Sequence, residues 1–226
     1  MNKLYNTLVC AVLVMVSAGA AAAAPAVGDT YVYRVLNGYN REVRGQITHR
    51  VDRVEADRVT VSITPDTASL GLAHTEVYAL DGNWLRHPLI NHDQPVDYEF
   101  SPAYPAFVFP LDIGKPWSVR VSATNPATLK RNSVRVDGEA ESSAHVQVPA
   151  GAFDTIKVTR RVYAGDWDGF LSETNIMETE WYAPAIGRVV RSEYQSKYID
   201  SSRISRVHVW NQGDWNVVEL VSMSPR

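Results

Sequence analysis

Cysteine is almost missing from this sequence: Cys10 stands alone among 226 residues. It lies within an apolar run, Leu8 to Val16, that follows Met1-Asn2-Lys3 and precedes the small residues Ser17 to Ala24. A charged start, a short apolar core and a small-residue tail make the layout of a secretory signal. Residues 1–24 are therefore expected to be a signal peptide, cut somewhere between positions 20 and 26, which sends the mature chain to the periplasm or outside the cell. The run is short for a membrane span, which needs about 20 residues, so no transmembrane segment is expected after cleavage. Thr7-Leu8-Val9 lack the small residue that a lipid-accepting cysteine needs just before it. Cleavage leaves no cysteine, which excludes disulfides, thiolate catalysis and cysteine–metal sites. A mature chain of about 200 residues can still bury enough surface to hold its fold without them.

Charge of one sign is also lacking. The net charge is −3, and −4 once Lys3 leaves with the signal, with Lys and Arg scattered along the chain. Nucleic acid calls for a basic face, and no nucleic-acid partner is expected. Gly-x-Ser-x-Gly, the elbow that presents a hydrolase nucleophile, does not occur, and neither does a glycine-rich phosphate loop. No catalytic residue and no cofactor can be nominated.

A sustained helical stripe is missing as well. Instead Val alternates with Arg, Ser and Thr, the period-2 pattern of strands with one packed and one wet face. Strands are read at Tyr31–Val35, Arg41–Arg50, Val59–Ile63, Thr75–Leu80 and Trp84–Leu89 in the first half. The second half gives Trp117–Thr124, Leu129–Asp137, Ala140–Val148, Thr155–Tyr163, Asn175–Tyr182, Arg188–Tyr198, Ile204–Trp210 and Val217–Val221. Asp66–Leu72 can make one helical turn. Residues 91–116 interleave Pro95, Pro102, Pro105, Pro110 and Pro116 with aromatics. Each proline fixes φ and pushes its predecessor extended, so the stretch reads as an irregular crossover laid over the end of the sheet. The expected fold is all-β with little helix: one domain over 25–226, a single strongly curved antiparallel sheet or half-open β-barrel.

The chain also echoes itself. Val27-Gly28-Asp29-Thr30-Tyr31 and Ile113-Gly114-Lys115-Pro116-Trp117 both run aliphatic, Gly, charged, any, aromatic, and an Arg-Val pair follows in each. Hairpins recur at 45–61 and 138–158, and an aromatic-Ala step before a turn recurs at Tyr78-Ala79 and Tyr182-Ala183. Two similar halves, about 27–100 and 113–221, are the organisation this suggests.

Candidate polar sites are thin. His87, His92 and Asp93 form the densest set of metal-ligand types, but no third clear ligand or helical spacing supports them, and a polar loop is the better reading. Gly165-Asp166-Trp167-Asp168-Gly169 lacks the remaining acidic positions of a calcium loop and reads as a hairpin tip. No metal is nominated. His49, His145 and His208 fall on polar positions of strands. Glu178 and Glu180 share a strand face with Glu173 nearby, and read as solvated neighbours. Trp84, Phe107, Phe109, Trp117, Tyr163, Trp181 and Tyr182 would crowd the concave side of a curved sheet. Their first reading is core, each burying roughly 150–250 Å²; the second is the wall of a cavity for an acyl chain or other apolar ligand.

VPAGAFDTIKV (148–158), WYAPAIGRVVR (181–191) and FPLDIGKPW (109–117) resemble motifs of an exported bacterial family catalogued only as a domain of unknown function, 3108-like. The resemblance covers most of the mature chain. It implies an antiparallel half-open barrel, similar in outline to the periplasmic lipoprotein carriers, and it carries no catalytic residues. The function expected is a non-catalytic envelope β-protein that binds an apolar, lipid-like ligand or an envelope partner. The alternatives are an assembly factor with a filled core, acting through an exposed strand edge, and a hydrolase with an unfamiliar site at His87 or His92.

Overall fold

The computed structural model describes residues 24–89, 96–166, 171–200 and 209–225. Residues 1–23 of the expected signal peptide, His92 and Asp93, the tip at 167–170, and residues 204–208 of the strand expected at Ile204–Trp210, His208 included, lie outside them. Twelve strands follow in order: β1 (Thr30–Asn37), β2 (Val43–Val54), β3 (Arg58–Pro65), β4 (His74–Ala79), β5 (Trp84–Pro88), β6 (Asp97–Tyr104), β7 (Pro116–Thr124), β8 (Arg131–Val148), β9 (Gly151–Gly165), β10 (Leu171–Ala183), β11 (Arg188–Asp200) and β12 (Trp210–Ser224). One short 3₁₀ turn, Ala68–Leu70, interrupts them within the stretch expected to turn. No helix among the described residues is long and apolar enough to cross a membrane.

Each strand pairs antiparallel with its sequence neighbours, and β1 also pairs with β12, from Thr30 opposite Ser224 to Asn37 opposite Asn216. The sheet is therefore a closed barrel, and the half-open form expected from the sequence is corrected. Closure removes both sheet edges, whose unpaired N–H and C=O groups would otherwise invite other chains. Barrel width grows with strand number; about eight strands give an interior that side chains fill, and sixteen or more leave a channel. Twelve falls between, so the wall is partly packed and partly hollow.

Further corrections concern prolines and long strands. Residues 97–104, expected as part of the crossover, form β6 with Pro102 inside it; its ladder partners are Trp84 and Arg86–Pro88 on one side and residues 122–124 on the other. The crossover shrinks to 105–115. The two strands read over 129–148 are one 18-residue strand, β8. Gly28 and Gly114, matched in the sequence echo, both have positive φ, 95° and 80°, at the turns that enter β1 and β7. The echoed hairpins are β2–β3 and β8–β9, and the echoed aromatic-Ala steps end β4 and β10. Each pair is six strands apart.

The main core fills the side of the barrel around β6–β9. Val121, Ala123, Val134, Val136, Val158, Val162 and Ile176 are buried there beneath Phe100 and Tyr104. Long hairpin β8–β9 carries Val146 and Val148 into a second cluster with Tyr31, Tyr33, Ala183, Val190 and Leu220. Val51, Val59, Val61 and Ile63 form a third on β2 and β3.

Candidate functional site

Beside the main core, and sharing Trp84, Leu89 and Phe107 with it, the barrel is hollow. A cavity of about 1030 Å³ is lined by residues of β1–β5 and β10–β12, from the β2–β3, β4–β5 and β10–β11 turns at one end to the β3–β4 loop at the other. Pockets that hold small molecules run about 300–1,000 Å³. Val35, Ile47, Val59, Ile63, Leu70 and Leu89 give it an apolar stripe. The period-2 alternation of β1–β3 aims the first four of these side chains inward.

Trp84, Phe107, Phe109 and Tyr182 line this cavity. Trp84 is sandwiched: the Tyr104 ring stacks on it at 4.2 Å and 8°, and the His87 imidazole at 3.8 Å and 11°. Phe107, Phe109 and Tyr182 form a three-ring group with centroids 5.1 to 5.9 Å apart, where the crossover meets the end of β10. The Phe107 N–H donates to Asn83 Oδ1 at 2.8 Å, which ties the crossover to the β4–β5 turn. Phe109 keeps 45% of its surface exposed at the rim. The other three expected aromatics do not line the cavity. Trp117 lies across Gly138 and packs against the main core. Tyr163 carries the Arg135 guanidinium 4.8 Å from its ring centre. Trp181 packs against the second cluster with Arg191 over its ring at 4.9 Å.

A polar group interrupts the apolar wall. Glu76 is buried on β4 with its Oε1 3.3 Å from His74 Nε2 and 3.4 Å from His87 Nε2, and its other oxygen accepts from the Tyr78 hydroxyl. Burial alone would raise this carboxyl. The His87 charge, the His74 hydrogen bond, the His49 charge and the Tyr78 hydrogen bond outweigh it and hold it down at about 2. Burial tends to lower His74, but its bonds to Glu76 and the Leu72 carbonyl raise it overall. His49 faces the same cavity from β2, 4.9 Å from the Tyr33 ring, and burial brings it down to about 4. It is therefore neutral near pH 7, and its Nε2 is buried without a hydrogen-bond partner among the described residues.

The second polar group is ionic. Arg160 is fully buried; its Nε donates to Glu178 Oε2 at 2.7 Å, and its Nη1 to Glu180 Oε2 at 2.9 Å and to the Ala106 carbonyl at 2.8 Å. The Tyr104 hydroxyl donates to the same Glu178 oxygen at 2.7 Å. Glu178 and Glu180 are thus clamped by a cation inside the barrel, which corrects the reading of solvated neighbours. Burial works against the Arg160 charge, but the two carboxylates more than offset it and push its pKa up.

Sequence reasoning missed His74, Glu76 and Arg160, though each left a signal. His74, Glu76 and Tyr78 alternate along one face of β4, and Arg160 stands in phase with Val158 and Val162 on the packed face of β9. His49 likewise stands in phase with Ile47 and Val51, on the inward face rather than the wet one.

No family model matches the chain, so the 3108-like resemblance gains no support there, and no curated protein matches it either. Solved structures do. A candidate lipoprotein from Parabacteroides distasonis ATCC 8503 matches with a TM-score of 0.51 and 15% identity, over 88% of this chain and 97% of that one. A candidate exported protein with a YmcC-like fold from Bacteroides fragilis NCTC 9343 matches at 0.48 and 18% identity over 88% and 97%, and the hypothetical lipoprotein YmcC from Escherichia coli K12 at 0.46 and 10% identity over 88% and 86%. At such identities the likeness concerns the fold, and it rests on the first of the three: this chain shares the barrel of a bacterial protein of lipoprotein type.

Proposed function

We propose that this protein is a non-catalytic, exported β-barrel of the bacterial envelope that holds an apolar small molecule inside its wall. The observation that carries the reading is the cavity of about 1030 Å³ with its stripe of aliphatic side chains. Water in a hollow this large wets its aliphatic lining, and hydrocarbon that displaces the water recovers roughly 25 cal/mol for each Å² of apolar surface withdrawn from it. Trp84, Phe107, Phe109 and Tyr182 are the aromatic contacts, and the crossover at 105–115 covers the rim. The leader layout of residues 1–24 supports export, and the barrel shared with the Parabacteroides protein agrees with an envelope setting.

The other readings have less to stand on. The sheet closes on itself, which leaves an assembly factor little free strand edge among the described residues beyond the tip of the β8–β9 hairpin, where 143–148 and 151–155 pair only with each other. For a hydrolase, His87 is stacked on Trp84 and held at Glu76 with no nucleophilic Ser or Thr bonded to it among the described residues. Native mass spectrometry of the gently purified protein tests the proposal. A lipid-sized mass that rides with the folded chain, and a rise in melting temperature on adding back the extracted lipid, are expected. A bare chain that no lipid extract stabilises overturns it.

A further inference from the structure

The charges that line the cavity are almost all spoken for. Glu178 and Glu180 hold Arg160. Glu76 is taken by Tyr78, His74 and His87. Glu193 pairs with Arg191 at 2.6 Å, and Arg44, at the far rim, gives its Nη1 to Asn216 Oδ1 at 2.7 Å. Arg188 differs from Arg44 in having no side-chain hydrogen-bond partner at all among the described residues. It opens β11 and lines the cavity, its guanidinium is 4.4 Å from the centre of the Tyr31 ring, and it has no carboxylate within ion-pair distance among the described residues. A ring face holds and orients a guanidinium without neutralising it.

Around this cation stand groups with hydrogen-bonding capacity to spare. Its charge acts on Tyr33, His49, Tyr78 and Tyr182, all of which line the cavity. The Tyr33 hydroxyl is committed to the Val189 carbonyl at 3.1 Å, and that of Tyr78 to Glu76. Among the described residues His49 Nε2 is buried without a partner, and the Tyr182 hydroxyl has none. A guanidinium, a phenol and a neutral imidazole form a donor set suited to an oxyanion. On the same wall run Val35, Ile47, Val59 and Ile63, which offer nothing but hydrocarbon.

We propose that the cavity takes a single-chain amphiphile with an anionic head, the head anchored on Arg188 near Tyr182 and the chain laid along Val35, Ile47, Val59 and Ile63. This rests on the apolar-ligand reading and adds the chemistry of the head. The carboxylate of a fatty acid and the phosphate of a lysophospholipid share that chemistry, and the choice of ligands separates them.

The test is displacement of the neutral probe N-phenyl-1-naphthylamine from the protein, expressed from its full-length gene, by palmitate, palmitoyl-lysophosphatidate and hexadecanol. At least one of the two anions is expected to bind about tenfold or more tighter than the alcohol, since a charge-assisted hydrogen bond is stronger than a neutral one. Which anion leads identifies the head. Arg188→Met is expected to abolish that preference while hexadecanol binds as before; Arg188→Lys is expected to keep part of it. If Arg188→Met does not fold, Arg188→Gln is read with the same three ligands. Equal binding of anions and alcohol to the unaltered protein overturns the head assignment and leaves the apolar-ligand reading standing, as does a preference untouched by loss of Arg188. Failure of the probe and all three ligands to bind overturns both.

Discussion

Arg160 and Glu178 are joined inside the barrel, Nε to Oε2 at 2.7 Å, with the arginine side chain wholly withdrawn from solvent. Glu180 completes the group on Nη1. Taking two acids and a cation out of water is costly, and their mutual attraction offsets that only while every partner is present. Arg160→Met leaves two buried carboxylates without their cation and is expected to lower unfolding stability by about 3–5 kcal/mol. Replacing all three with apolar residues of similar size should recover most of the loss. Urea melts of both variants measure this; a single variant within about 1 kcal/mol of the parent would show that the clamp contributes little.

Gly138 lies opposite Trp117 on neighbouring strands, and a Cβ placed there would sit 2.4 Å from the indole. Gly138→Ala therefore pushes against a ring that is already packed on the core. A cost of about 1–3 kcal/mol is expected, as for other overpacked sites. Combined with Trp117→Leu the two changes should fall well short of additive, because the smaller side chain leaves room for the methyl group. Strict additivity in thermal or urea melts would place the indole elsewhere.

His49 and Glu76 set the acid limb of stability. His49 falls from 6.5 to about 4 on folding. The unfolded chain thus binds the extra proton first, and the stability this group confers, complete above pH 6.5, drains away as pH falls toward 4. The loss is on the order of 3 kcal/mol. Glu76, depressed from 4.5 to about 2, continues the decline below pH 4.5. His74 is raised, so its contribution runs the other way: present below pH 6.5 and lost as pH climbs through its folded value. His49→Gln is expected to flatten the curve between pH 6.5 and 4 while leaving the fall below 4.5. Melting temperatures taken across this range decide it, and an unchanged slope between pH 6.5 and 4 would remove His49 from the account.

Much of the wall was legible because a strand announces itself locally. Val59, Val61 and Ile63 alternate with Thr60 and Ser62, and they became the buried face of β3. Closure was not legible, since nothing near Thr30 or Ser224 says that β1 and β12 will meet. Strand β6 was masked by Pro102, which weakens a ladder without forbidding a strand. Within the site, aromatic content pointed toward the interior but could not divide seven rings between hollow and packed sides. That division depends on neighbours far away in sequence, such as Gly138, which receives Trp117. The charged residues were harder still. Glu178 reads as a solvated acid in the sequence because its partner, Arg160, stands on another strand, 18 residues away.

The account turns on the barrel being hollow on one side, and titration with N-phenyl-1-naphthylamine, read beside a variant that blocks the cavity, tests this most directly. Ile63 lines the hollow from β3, so Ile63→Trp fills it from within. The parent protein should take up one probe per chain with a saturable, blue-shifted rise in fluorescence, and Ile63→Trp, still folded by circular dichroism, should take up little. Saturable uptake that the blocking variant leaves intact, or no uptake by the parent at all, would contradict a ligand-holding cavity.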